Sequence, residues 1–169
     1  MGETNADAVD VITAQWRRER PDLELEAMAI IGRLGRLAAV AGKRIDAVFG
    51  AHGLQRGEFD VLAALRRSGK PYRLNPSVLA DTMMLSRAGM TSRLDRLEKA
   101  GLVRRIADAE DRRAIRVGLT EQGLTVVDAA VTDHVANETR LLAALTDRDR
   151  EELDRLVRLL LTSVEREEA

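Results

Sequence analysis

The sequence contains no cysteine among its 169 residues. Without cysteine the chain cannot form disulfides, hold zinc through thiolates or sense oxidants through a thiol. Aromatic residues make up only 2% of the chain, whereas hydrophobic residues as a whole make up 45%. The core is therefore expected to be aliphatic, which favours packed helices over a β-sandwich.

The chain also lacks a long apolar run. No segment approaches the roughly 18 consecutive apolar residues of a membrane-spanning helix. The N-terminal residues include Glu3, Asp7 and Asp10, where a secretory signal would carry basic residues followed by an apolar stretch. We therefore expect a cytoplasmic protein with no membrane partner.

Sequence signatures of catalysis and of metal binding are missing as well. There is no Gly-x-Ser-x-Gly elbow, no phosphate-binding P-loop and no Gly-x-Gly-x-x-Gly dinucleotide motif. The two histidines, His52 and His134, have neither the HExxH spacing nor a third convergent ligand that a zinc site needs. We expect no enzyme activity, no metal and no cofactor.

The net charge of −1 hides an uneven distribution along the chain. Counting Lys and Arg against Asp and Glu gives −2 for residues 1–65, +7 for residues 66–119 and −6 for residues 120–169. A basic segment is the electrostatic feature that nucleic-acid binding requires. The middle of the chain is therefore the candidate DNA-binding segment.

Apolar periodicity predicts several helices and one small β element. Helical spacing of apolar residues runs through segments 8–20, 23–50 and 55–68, and it resumes after four residues that we interpret as helix N-caps. These caps are Asn75, Ser86, Thr120 and Asp147. Strand-like runs at 103–107 and 114–119, joined by charged residues, predict a β-hairpin.

The helix after Ser86 and the hairpin that follows it form the candidate DNA-binding surface. If Leu94 is central on the buried face of the helix, Met90 and Leu97 lie beside it and the opposite face is small and polar. Such a face can approach base edges in the major groove, while a cation at the hairpin tip can enter a narrow minor groove. The candidate contact residues are Ser86, Arg87, Thr91, Ser92, Arg93, Asp111, Arg112 and Arg113.

The run from Leu74 to Gly123 resembles the DNA-binding core of the MarR family of winged helix-turn-helix regulators. The matching strings are NPSVLADTMMLSRAGMTSRLDRLEKAGLVRR and DAEDRRAIRVGLTEQG. In that family the Asp-x-Arg pair, here Asp111 and Arg113, braces the wing and lets the arginine reach the minor groove.

This resemblance implies a mainly α fold with a small β wing, a winged helix-turn-helix with N- and C-terminal dimerisation helices. It divides the chain into an N-terminal helix and first dimerisation helix at 1–53, a DNA-binding core at 54–119 and C-terminal dimerisation helices at 120–169. A two-fold homodimer would bind double-stranded operator DNA of pseudo-palindromic sequence. The final helix fits this expectation, because its apolar stripe from Leu153 to Val164 is broader than one chain can cover.

A narrower resemblance concerns the ligand. The strings QWRRERPDLELE and EFDVLAALRRSG are similar to the urate-responsive branch of the family, of PecS and HucR type. This branch implies a ligand site formed by Trp16, Asp60, Arg67 and Arg105. The chemistry suits a flat urate monoanion, which needs an aromatic neighbour, arginines for its charge and a carboxylate for its N–H groups.

Three other interpretations remain open at this point. Arginines near a dimer groove would serve a carboxylate such as aconitate or citrate as well as they would serve urate. Asp60, Arg67 and Arg105 could instead form an ion-pair network that orients helices, with Trp16 as an apolar anchor. Finally, the chain could be a helical protein-interaction module that does not bind DNA.

Overall fold

The computed structural model describes residues 6–84, 86–107 and 115–167. The helices are α1 (Ala8–Glu19), α2 (Glu26–Ala51), α3 (Arg56–Arg67), α4 (Pro76–Thr82), α5 (Arg87–Lys99), α6 (Glu121–Leu141) and α7 (Asp147–Glu167). The strands are β1 (Arg73–Leu74), β2 (Val103–Ala107) and β3 (Ile115–Leu119). These elements confirm the predicted fold class, which is mainly helical with a small antiparallel sheet.

The described residues fall into two compact units, divided between Arg44 and Ile45 within the long helix α2. In the first unit, α1 is joined to α2 by charge. The Arg33 guanidinium donates to Asp7 Oδ2 at 2.7 Å and also to Asp10. Asp7 and Asp10 in turn form a capping box at the start of α1. The same two carboxylates therefore begin α1 and hold it against α2.

The second unit is built around the helix-turn-helix formed by α4 and α5. The inner face of α5 carries Met90, Leu94 and Leu97, each at most 2% exposed. This confirms the face assignment made from helical spacing. Beneath it, the rings of Phe49 and Phe59 stack with centroids 4.1 Å apart. The core is otherwise aliphatic, as the composition predicts.

The sheet has strand order β1-β3-β2, and both pairings are antiparallel. Strand β3 is central, and it pairs Gly118 with Arg73 of β1 on one side and with Arg104 of β2 on the other. The two longer strands pair from Val103↔Leu119 to Ala107↔Ile115. They therefore form the base of the predicted hairpin, placed directly after α5.

A tight corner leads from the sheet into α6. Thr120 caps the helix, because its Oγ1 accepts from the Gly123 N–H at 2.9 Å and donates to the Gly101 carbonyl at 2.7 Å. Gly123 is required here, since a Cβ at this position would lie 1.9 Å from the Leu102 carbonyl oxygen. The Thr120 cap thus fixes where α6 begins after the sheet.

One predicted cap was wrong. Asp147, the predicted N-cap of the last helix, is the first residue of α7. Thr146 takes the capping role, because its Oγ1 accepts from the Asp149 N–H at 3.2 Å while the Asp149 carboxylate accepts from the Thr146 N–H at 3.0 Å. The reciprocal Thr-x-x-Asp arrangement satisfies two free N–H groups, which Asp147 alone could not do.

Among the described residues, no helix is both long enough and apolar enough to cross a membrane.

The Arg33 ion pairs predict an acid-sensitive contact in the first unit. Hydrogen bonds from Arg33 and from the backbone lower the pKa of Asp7 to about 2. Because this value lies below the ordinary 3.8, the contribution to stability is present above pH 3.8 and is lost as the pH falls toward 2. We expect NMR titration of the Asp7 carboxyl carbon to give a midpoint near 2, and Arg33→Ala to move it up toward 3.8. An unchanged midpoint in that variant would contradict the role of Arg33.

Candidate nucleic-acid interface and ligand cavity

Helix α5 presents its polar face as predicted. Ser86 caps the helix, with its Oγ accepting from the Gly89 N–H at 3.2 Å. Arg87, Thr91 and Ser92 are all exposed. Helical spacing places Ser92 opposite the buried leucines, whereas Arg87 and Thr91 lie toward α4, beside Pro76 and Ser77. Thr91 Oγ1 donates to the Arg87 carbonyl at 2.9 Å, so its hydroxyl oxygen rather than its proton is open to a partner. The helix therefore packs its apolar face into the core and exposes polar and basic side chains.

The structure places Arg93 against α3. Its guanidinium lies over Gly57, where an added Cβ would come within 2.3 to 2.6 Å of the guanidinium atoms. Glycine at position 57 thus provides the space that the arginine occupies. Arg93 also contributes a favourable charge to Asp60 on the same helix. It therefore joins α5 to α3 instead of extending from the outer face.

Arg105 is held by two carboxylates of α5. From strand β2, its guanidinium donates to Asp95 Oδ1 at 2.6 Å and also to Glu98, and its backbone N–H donates to Glu98 Oε1 at 3.0 Å. The hydrogen bond with Asp95 is the main reason that the pKa of Arg105 is raised above its usual value. In this arrangement Arg105 fastens β2 to α5.

The predicted contacts Asp111, Arg112 and Arg113 lie outside the described residues. The strands on either side of them are placed, and Ala107 pairs with Ile115.

Two of the four residues implied for the ligand share a cavity. A space of about 320 Å³ is lined by Asp60 and Arg67 of α3, together with residues that the sequence did not single out for this role. These are Phe59, Ala63, Arg66, Val127, Val131 and His134. The volume and the mainly apolar lining with a few polar groups are typical of small-molecule sites. Arg105 is not among the lining residues, and Trp16, which is 43% exposed, lies on α1 in the other unit.

The charged groups of this cavity are not equivalent. Arg66 is committed to Asp128, at 2.7 Å, and its guanidinium lies 5.1 Å from the centre of the Tyr72 ring. Burial raises the pKa of Asp60, although the charges of Arg93, Arg56 and Arg67 oppose this effect. Arg67 is exposed and has no recorded ion pair within the described part of the chain. It is the cation best placed to meet an incoming anion.

His134 lies on α6 and lines the cavity. Its ring packs against Phe49 and Phe59 at centroid distances of 5.0 and 5.4 Å, and Nε2 lies 3.2 Å from Glu138. His52 contacts Asp133 at 2.8 Å. Over the described ranges, no three His, Asp or Glu side chains converge as a metal site would need.

Comparison with known proteins identifies the family. A sequence model of the MarR family matches residues 52–114. The chain is also 40% identical over 158 residues to the HTH-type transcriptional regulator PecS of Dickeya dadantii (strain 3937), covering 94% of this chain and 93% of PecS. This chain belongs to the MarR family.

Solved structures agree with this assignment. AbsC, a MarR family transcriptional regulator from Streptomyces coelicolor, superposes with a TM-score of 0.71 at 26% identity, over 85% of this chain and 96% of AbsC. Sco3205 from the same organism, solved in complex with DNA, shares the fold with a TM-score of 0.72 at 23% identity, over 83% of this chain and 89% of Sco3205. The relatives are transcriptional regulators, and this MarR family chain is a regulator rather than an enzyme.

The placement of Arg93 predicts a measurable effect on Asp60. Among the charges that oppose burial, Arg93 is the largest influence on this carboxyl, so we expect Arg93→Ala to raise the pKa of Asp60 further. NMR titration of the Asp60 side-chain carbon in both proteins measures the change. Lys99→Ala is the matched control, because it removes a cation from the same helix that does not act on Asp60. Equal shifts in the two variants would contradict the contact between Arg93 and α3.

Proposed function

We propose that this protein is a repressor that binds a pseudo-palindromic operator as a homodimer and is released by a small anionic ligand, with urate as the first candidate. The observation that carries the proposal is the seating of α5. Met90, Leu94 and Leu97 are buried on its inner face, while Arg87, Thr91 and Ser92 are exposed. This is the arrangement that a recognition helix needs.

The DNA contacts divide into two classes in this proposal. Arg87 and Ser92 read base edges in the major groove, and Ser86 donates its hydroxyl proton to a phosphate oxygen. Thr91 has to release the Arg87 carbonyl before its hydroxyl proton can reach a phosphate oxygen. Arg112 and Arg113, with Asp111 beside them, place a cation in the minor groove. Arg93 has to leave Gly57 to reach a base, and we therefore assign it first to the junction of α5 with α3.

The homodimer is supported by apolar surface left without a partner. None of the described side chains of α7 is buried, although the helix carries several large apolar residues that are 42 to 62% exposed. These are Leu156, Val157, Leu159, Leu160, Leu161 and Val164. A second copy related by two-fold symmetry would cover such a stripe and would set two recognition helices about 34 Å apart, one turn of DNA.

The ligand proposal rests on the cavity beside α3. Arg67 offers an uncommitted guanidinium to an anion, Asp60 can accept from N–H groups of a purine, and Phe59 and two valines supply apolar walls. The cavity borders the helix that Arg93 contacts, so an occupant that displaces Asp60 also disturbs the seat of α5. By linkage, operator DNA then weakens ligand binding by the same factor.

Trp16 and Arg105 remain predicted ligand residues. Arg105 would have to leave Asp95 and Glu98 in order to bind a ligand. A quench of Trp16 fluorescence by urate would support the part assigned to Trp16.

An electrophoretic mobility titration on the DNA upstream of the gene, at one stated salt concentration, tests the proposal. We expect the parent protein to bind this DNA tightly and urate to release it. Release of the Arg67→Ala variant is expected to need at least about tenfold more urate, because a charge-assisted hydrogen bond to the ligand is lost. Arg148→Ala on α7 is the control, since it removes the same charge outside the cavity. Release by citrate or aconitate instead would replace urate with a carboxylate, and absence of specific binding would favour a protein-interaction module.

The two classes of DNA contact predict different mutant behaviour. Arg87→Ala is expected to cost about 1–3 kcal/mol on the operator and to relax preference at particular base pairs, because a base contact is lost. Arg113→Ala is expected to weaken binding to all sequences and to lower the slope of log affinity against log salt by about 1. Binding competitions over a set of single-base operator variants and several salt concentrations separate the two. Unchanged affinity of Arg113→Ala would remove the wing from the interface.

A further inference from the structure

Glu58 is a buried carboxylate that the DNA-binding and ligand proposals do not use. The residue is 8% exposed and lies in the first turn of α3. One carboxylate oxygen, Oε2, accepts from the backbone N–H of Gln55 at 2.9 Å. The other, Oε1, accepts from Nε of Arg96 on α5 at 2.9 Å. Glu58 therefore both starts α3 and binds the helix that faces DNA.

The contact continues across α5 to its outer face. Nη1 of Arg96 donates to Oγ of Ser92 at 3.1 Å, one turn earlier on the helix. Because Ser92 Oγ accepts this bond, its hydroxyl proton is left to donate to another acceptor. Within the described ranges no acceptor for that proton is recorded. The Ser92 hydroxyl is thus oriented as a donor on the exposed face of α5.

We propose that Glu58 is a positioning residue for DNA recognition, which acts through Arg96 to fix the rotation of α5 and the direction of the Ser92 hydroxyl. This inference rests on the proposed operator binding by α5. An acceptor on a base edge of the operator receives the Ser92 proton. Glu58 touches no DNA itself, and Arg96 is a link between two helices rather than a phosphate contact.

Charge burial supports a role in geometry over a role in stability alone. A carboxylate withdrawn from water is costly, and an ion pair of this kind contributes little net stability compared with apolar residues of similar size. Its value lies in direction, because the Arg96 guanidinium is planar and its donors have fixed angles. Two hydrogen bonds from one guanidinium, to Glu58 and Ser92, define the relative setting of α3 and the outer face of α5.

The test compares Glu58→Gln, Arg96→Gln and the double variant with the parent in the same mobility assay, on the operator and on non-operator DNA of equal length. We expect each single variant to weaken operator binding about tenfold, and the double variant to be no weaker than either single one, because all three break the same link. Binding to non-operator DNA is expected to stay within about twofold of the parent, since no phosphate contact is lost. Lys99→Gln, which removes a charge from the same helix without touching Glu58, should match the parent on both DNAs.

Two results would overturn the inference while leaving the proposed function intact. If Arg96→Gln weakened both DNAs and lowered the salt slope while Glu58→Gln bound normally, Arg96 would be a direct phosphate contact. If the effects of the two single changes added, the residues would act independently. A parent protein that bound no operator would instead refute the proposed function itself.

Two variants at exposed positions of α5 test the inference even if Glu58→Gln fails to fold. Arg96→Lys retains the charge but loses the paired geometry, and Ser92→Ala removes only the hydroxyl. Under the proposal both lower the ratio of operator to non-operator affinity, with an unchanged melting midpoint. An unchanged ratio in both would overturn it.

Discussion

The contact between α3 and α5 is the constraint on which the other functional features depend. Its apolar part is the burial of Met90, Leu94 and Leu97 in the core that α3 shares. Its polar part consists of Arg93 over Gly57 and Arg96 on Glu58. The apolar part is insensitive to small rotations of α5, since dispersion and burial have little direction. The hydrogen bond from Arg96 to Glu58 supplies the direction, which the proposed contact of α5 with DNA requires.

Under the proposed function, the same contact lets a cavity beside α3 influence DNA binding. Asp60 lines the cavity and interacts with the charge of Arg93, which lies on α5. Under the proposed function, a ligand anion enters a site where the charge balance already spans two helices. A change of geometry at Asp60 alters the surroundings of Arg93 without any long chain of intermediates. Coupling over so short a distance requires only that one element, α5, can adopt two positions.

Sequence periodicity predicted the elements well because burial follows helical and strand repeats. The predicted segments 8–20 and 55–68 differ by one residue at each end, or less, from the observed Ala8–Glu19 and Arg56–Arg67. The buried face of α5 also follows directly from spacing. The Thr146 cap was missed because Asp147 is equally acceptable as a capping residue type, and only the backbone geometry decides between neighbours.

The partners of the arginines could not be read from the sequence in the same way. Arg93 and Arg105 are basic residues of a basic segment, and both were assigned to ligands, DNA in one case and a small anion in the other. Whether they face a ligand or a protein group depends on helix crossing and on strand register. Gly57, which leaves room for Arg93, is far from it in the sequence, and Glu98 reaches Arg105 only because β2 turns back beside α5.

These internal partners change the meaning of the +7 charge of residues 66–119. Arg66 is neutralised by Asp128, Arg96 by Glu58 and Arg105 by Asp95 and Glu98. A segment with net positive charge therefore does not present a uniformly positive surface, because some of its arginines form ion pairs within the protein. Fewer cations are therefore left for the proposed DNA interface, and the exposed Arg87 of α5 is one of them. DNA specificity in such a protein depends less on the number of arginines than on which of them have no ion-pair partner within the fold.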